Sequence, residues 1–233
     1  SFKRENRRFI TFLNFLFYNS TNKGDESMTF WEGFHSFSTR LLKIVYLNFL
    51  WLFFSMLGFF IFGLFPATIA LFTVVRQLLL DVEKPITQTF WQTYKKEWLR
   101  GNGYAALTYL VLLILAVDFY MIYSFESLSI LLIPTIIITF LIFGTLFFLF
   151  PVYVHFELSF FVLVKQAFLF TLTSPSTVFL NALLVVVMYG VFNIMPGAIP
   201  LFIGSVLSYF VMLFSIRAFK KVEQKKLHGA VST

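Results

Sequence analysis

Three stretches without a single aspartate, glutamate, lysine or arginine decide most of what this chain can become: Ile44 to Val75, Ser127 to Phe156, and Gln166 to Ile216. A helix needs only about 20 apolar residues to cross the ~30 Å hydrocarbon core of a bilayer, so each stretch can hold at least one crossing. Composition bears on the same point. Hydrophobic residues make up 59% of the chain and charged ones 12%, against roughly half and a quarter in soluble domains. One soluble core cannot hide that excess. The mean hydropathy of +0.84 and the 35 phenylalanines suit contact with lipid. The expected fold class is therefore all-α, a polytopic transmembrane helix bundle.

Between Ile44 and Leu80 the one charge is Arg76, and at 1.5 Å per residue the stretch is too long for a single crossing. Gly58, Gly63 and Pro66 cluster in its middle, and Pro66 disfavours helical geometry at Phe65. A hairpin follows, with spans of about 41–59 and 65–80. Similar reasoning gives a second hairpin of 104–124 and 128–154, turning at Glu126. A third, of 176–195 and 199–217, turns at Met195-Pro196-Gly197-Ala198-Ile199-Pro200. The plan is about six spans arranged as three hairpins with cytoplasmic interfacial helices between them.

The first of these interfacial helices lies in the polar connection 81–103. Phe90, Trp91, Tyr94 and Trp98 fall on one helical face, opposite Lys95 and Lys96. That pattern suits a helix lying in the headgroup region, or one packed on a partner. The second runs from Glu157 to Thr173. Cytoplasmic loops are enriched in lysine and arginine. With six spans and both termini cytoplasmic, all 18 basic residues fall on or near the inner face of the cell membrane. A five-span count exposes a basic cluster on the wrong side. This arrangement accounts for the net charge of +7 through topology and anionic lipid, without nucleic acid.

Three readings fit residues 1–27: a cleaved signal peptide, an amphipathic extension, or a stretch upstream of a true start at Met28. Lys3, Arg4, Arg7 and Arg8 precede the apolar run Phe9 to Tyr18, but Glu5 interrupts them and no A-x-A-like site follows. Codons for Lys23-Gly24-Asp25 readily spell a ribosome-binding sequence before Met28. The expected organisation is a leader over 1–27, one transmembrane domain over 28–220 and a basic cytoplasmic tail over 221–233. Thr29-Phe30-Trp31 and Thr89-Phe90-Trp91 form a faint internal echo, from duplication or from chance in an aromatic-rich chain.

Little in the sequence resembles reaction chemistry. The chain has no cysteine, so disulfides and thiolate sites are excluded. His35, His155 and His228 lack metal-ligand spacing, and no glycine-rich phosphate loop occurs. No metal and no cofactor is expected. Asp118 is the one carboxylate inside an expected span, which makes it the leading candidate for a ligand or proton site, with an anchor to outer water as the structural alternative. Glu126 lies near it. Arg76 is the inner-face counterpart, with Asp81 and Glu83 as expected partners. Asn48, Thr68, Thr73, Thr108, Asn181 and Asn193 are read as bonds between helices.

The segments Asn48-Phe49-Leu50-Trp51-Leu52, Phe65-Pro66-Ala67-Thr68-Ile69-Ala70-Leu71, Val75-Arg76 and Thr89-Phe90-Trp91-Gln92-Thr93-Tyr94-Lys95-Lys96 resemble the YesL-like family of bacterial integral membrane proteins. Weaker matches are Pro151 with Phe156-Glu157, and Lys165-Gln166-Ala167. Together they run over most of 28–220. The resemblance implies a membrane protein encoded beside carbohydrate-uptake and polysaccharide-degradation genes, and it supplies no catalytic residues. The functional expectation is a non-enzymatic accessory or regulatory component of carbohydrate uptake. Its expected partners are the lipid bilayer and a sugar-transporter permease or other membrane protein. The alternative is a small secondary transporter with its site near the second hairpin.

Overall fold

The computed structural model describes residues 26–156 and 158–231. The readings of residues 1–25 and of Glu157 lie outside the described residues. The described residues up to Ile44 and those from Val45 onward fall into separate compact units. Among the described residues every regular element is helical. The α-helices are α1 (Glu26–Leu57), α2 (Leu64–Leu79), α3 (Ile86–Lys96), α4 (Trp98–Ser124), α5 (Leu132–His155), α6 (Phe160–Thr173), α7 (Pro175–Ile194) and α8 (Ile199–Val231). Short 3-10 turns at Glu126–Leu131 and Pro196–Ala198 precede α5 and α8.

Five helical segments are long and apolar enough to cross a membrane: Ser38–Leu57, Trp98–Ser124, Glu126–His155, Pro175–Ile194 and Pro196–Gln224. The chain is a polytopic transmembrane helix bundle. The residues expected as the second span form α2, but its 16 residues reach about 24 Å, short of a full hydrocarbon core.

What α2 lacks in length it has in enclosure. Phe65, Pro66, Ala67, Ile69, Ala70, Leu71, Phe72, Val74 and Val75 are all buried, because α3, α4, α5 and α8 pack around it. A helix apolar on nearly every side is stable only as an interior element. Its core partners include Leu47 and Phe54 of α1, Phe90 and Tyr94 of α3, and Val211, Met212 and Ile216 of α8.

The turn from α1 into α2 places Phe59 and Phe60 at φ of 51° and 60°. It draws the chain so tight that a Cβ on Gly58 would lie 2.2 Å from the Gly63 nitrogen. Pro66 occupies the first turn of α2, where its missing N–H has no ladder partner to lose.

Helix α3 folds back on α2 rather than lying free beside the bundle. The Tyr94 hydroxyl donates to the Phe54 carbonyl at 3.0 Å, one of the orphan acceptors at the end of α1. Rings of Phe90, Trp91 and Tyr94 surround Phe54 at 4.8 to 5.4 Å between centroids. Burial pushes the Tyr94 pKa upward and keeps the donor protonated.

The expected amphipathic helix is therefore present, but Phe90 and Tyr94 face protein. Trp91, Lys95 and Lys96 are exposed. Trp98, expected on the same face, instead opens α4 after a one-residue break at Glu97. In the first turn of α4, a Cβ on Gly101 would lie 3.3 Å from the Pro66 backbone. So α2 and α4 begin at one level, with α3 retracing α2 between them. An unbroken crossing by α2 followed by an interfacial α3 would separate those two ends.

The basic C-terminal segment expected as a tail is the end of α8, which continues to Val231. Lysine, glutamine, glutamate and leucine are good helix formers, and no proline interrupts them.

Candidate functional site

Two polar clusters sit inside the apolar bundle, and the sequence pointed to the residues of only one of them. The first joins α1, α2 and α8. Asn48 is fully buried. Its Nδ2 donates to the Pro200 carbonyl at 2.7 Å, and its Oδ1 accepts from the amides of Gly204 at 2.9 Å and Ser205 at 3.0 Å. A carboxamide supplies both functions at once, so one side chain grips the opening turns of a helix more than 150 residues away in the chain.

One turn along α1, the Trp51 indole donates to Thr68 Oγ1 at 3.0 Å, and that hydroxyl donates to the Leu64 carbonyl at 2.6 Å. The Trp51 ring lies where a side chain at position 204 would go. A Cβ there would be 2.7 Å from Cε3, so only glycine fits. The cluster spends its polar groups on locking helices together, as small residues and amides do in membranes.

The second cluster is built around Glu97, the only buried charged side chain among the described residues. It sits in the break between α3 and α4. The Tyr153 hydroxyl of α5 donates to its Oε2, and Lys96 Nζ lies 3.9 Å from Oε1. The Tyr153 ring meets Tyr104 edge-on at 5.3 Å, and Tyr104 stacks on Phe160 of α6 at 4.8 Å. The sequence reading missed Glu97 because it stands in a polar connection between Lys96 and Trp98. Its burial depends on Tyr153, 56 residues later. The available signal was a carboxylate beside Trp98-Leu99, a few residues before the long apolar run that begins near Tyr104.

The residues singled out from sequence do not converge. Asp118 is partly buried and accepts from Thr135 Oγ1 at 2.9 Å, across the α4–α5 hairpin. Glu126 is exposed in the turn beyond it. Arg76, expected beside Asp81 or Glu83, places Nε 3.3 Å from Nδ1 of His155, at the other end of α5. The twenty residues from Thr135 to His155 put about 30 Å between the Asp118 and Arg76 contacts. They cannot act on one ligand. Among the described residues, no three of His, Cys, Asp or Glu gather as metal ligands would.

Three relatives from Bacillus subtilis (strain 168) match most of the chain, each titled an uncharacterized protein. YteU is 35% identical over 195 residues, covering 83% of this chain and 86% of its own. YesV is 34% identical over 189 residues, covering 78% and 89%. YesL is 28% identical over 206 residues, covering 84% and 93%. The model of the family described as a protein of unknown function, DUF624, matches residues 44–119. The chain belongs to this family. The matched segment runs from the end of α1 through most of α4, so it contains Asn48, Trp51, Thr68, Tyr94 and Glu97. No solved structure matches the chain.

Proposed function

We propose that this protein is a non-enzymatic membrane component that assists or regulates carbohydrate uptake through lateral contact with a transporter permease or another membrane protein. The observation that carries the lateral contact is the state of the α4–α5 hairpin. About 11% of the apolar stretch of α5 is buried, the lowest of the five candidate spans, and 17% of that of its partner α4, the same as in α7, against 33% in α8. On this sparsely covered hairpin sits Asp118, a partly buried carboxylate bonded to Thr135. A carboxylate in a span is costly against hydrocarbon and favourable against a polar group on a partner helix. The link to carbohydrate rests on the family resemblance alone.

Isolation from native membranes in mild detergent tests this reading. The expected outcome is co-purification of a sugar-transporter permease. Autonomous, gradient-driven uptake by the purified protein in proteoliposomes would replace it with the transporter reading.

The proposed orientation puts the basic residues of 81–103 and of the α8 terminus on the cytoplasmic face. Single cysteines introduced at Glu126 and Ala198 of this cysteine-free chain should then react from outside, and those at Lys95 and Lys220 should not. A cysteine at Lys43 settles the count. Protection there gives six crossings with both termini cytoplasmic; labelling gives five, the count that fits α2 and α4 beginning at one level.

A further inference from the structure

A cavity of about 190 Å³ opens where the end of α6, the start of α7 and the last third of α8 meet, lined by Thr173, Ser174, Ser176, Thr177, Arg217 and Lys221 among others. We propose that it binds a phosphate-class anion, the headgroup of an anionic phospholipid or a free phosphate. The inference is independent of the lateral-partner reading.

The chemistry of the walls is one-sided. Arg217 and Lys221 are both exposed side chains one turn apart on α8, and among the described residues no carboxylate lines the cavity. Opposite them are four hydroxyl-bearing residues of the α6–α7 corner, of which Thr173 gives its hydroxyl to the Leu169 carbonyl at 2.8 Å. Ser174 and Thr177 are buried and Ser176 is open to the mouth. An arginine fork, an ammonium and a set of hydroxyl donors together form the recognition set for phosphate oxygens.

The start of α7 adds to the same field. Pro175 is its first residue, and the Ser174 side chain makes no capping bond. The positive end of the helix dipole therefore meets the cavity without a carboxylate or hydroxyl cap to offset it. One turn deeper, on the face of α7 that carries Thr177, Asn181 is fully buried and neither carboxamide atom is bonded. That side of the α7–α8 seam thus has polar capacity that the protein's own groups do not use.

Placement agrees with a lipid source. The cavity sits at the end of the Pro196–Gln224 segment, where lysines crowd α8. Basic pockets between transmembrane helices are where anionic headgroups dock.

The test uses the purified full chain, stripped of lipid in detergent, and reads binding by native mass spectrometry and thermal shift. The probes are phosphatidylglycerol, phosphatidylcholine and inorganic phosphate. Phosphatidylglycerol should bind, and the double variant Arg217→Gln with Lys221→Gln should weaken it about 30-fold, the loss expected for two basic contacts. Ser176→Phe, which fills the mouth without changing a charge, should also weaken binding and serves if the double variant does not fold. A stabilising shift with inorganic phosphate but none with phosphatidylglycerol would assign the site to a free anion. Three results overturn the proposal: no probe binds the wild type, binding survives both substitutions, or Lys95→Gln with Lys96→Gln on α3 weakens it equally.

Discussion

Asn48 and Asp118 are both polar residues set in apolar helices, and the regions around them have opposite characters. Asn48 lies in the packed region around α2, where its carboxamide meets three backbone groups of α8 and its exposure is zero. Asp118 lies on a hairpin whose apolar residues, among them Leu113, Ile114, Val117, Ile133 and Ile137, are mostly exposed. It meets one threonine. A buried polar group with complete bonding specifies how helices fit together. A partly exposed one with bonding to spare has capacity for something outside the chain. The α2 region is thus the structural centre of the family segment, and the α4–α5 hairpin, whose second helix lies beyond that segment, is the outward-facing arm of the bundle.

Substitution at the packed centre should have the largest effect. Asn48→Ala removes three hydrogen bonds and leaves the Pro200 carbonyl and the Gly204 and Ser205 amides facing a void. At the per-bond values measured inside membranes, the loss should be about 2–4 kcal/mol. Thermal unfolding of the detergent-solubilised protein would show it as a clear fall in midpoint. An unchanged midpoint would break the contrast, because it would make Asn48 as dispensable as a surface residue.

A smaller effect should come from Gly204→Ala, which pushes a methyl group into the Trp51 ring. Overpacking of this kind costs about 1–3 kcal/mol. The cost should fall in a Trp51→Phe background, where the smaller ring leaves room. Equal cost in both backgrounds would mean that the Trp51–Gly204 contact is not what makes glycine necessary.

Much of this centre was legible in the sequence, though not its assembly. Asn48 and Thr68 could be read as glue between helices because polar side chains in uncharged runs have few other fates. The hairpin turn at 58–63 followed from Gly58, Gly63 and Pro66. The Asn48 partners on α8 were beyond reach, since nothing local pairs position 48 with 200–205. The same limit explains α3. Its periodicity showed an apolar face correctly, but periodicity cannot say whether lipid or protein covers that face, and Phe54 covers it here. Charge patterning similarly ranked Asp118 above Glu97. An isolated acid in a span stands out, whereas an acid among lysines looks solvated until Tyr153 buries it.

Asp118→Asn should have the smallest effect on stability and the most informative one on association. The amide keeps an oxygen to accept from Thr135, so the α4–α5 contact survives. Removing the charge lowers the cost of the position next to hydrocarbon. Expression and melting temperature should therefore match the wild type or slightly exceed it, by less than about 1 kcal/mol. If Asp118 meets a polar or basic group on a partner helix, recovery of that partner in a mild-detergent pull-down should fall sharply in the same sample. A variant that is equally stable and recovers the partner in full would show that the carboxylate is only an anchor. The lateral contact would then have to rest on the apolar surface of the hairpin, which lipid covers equally well.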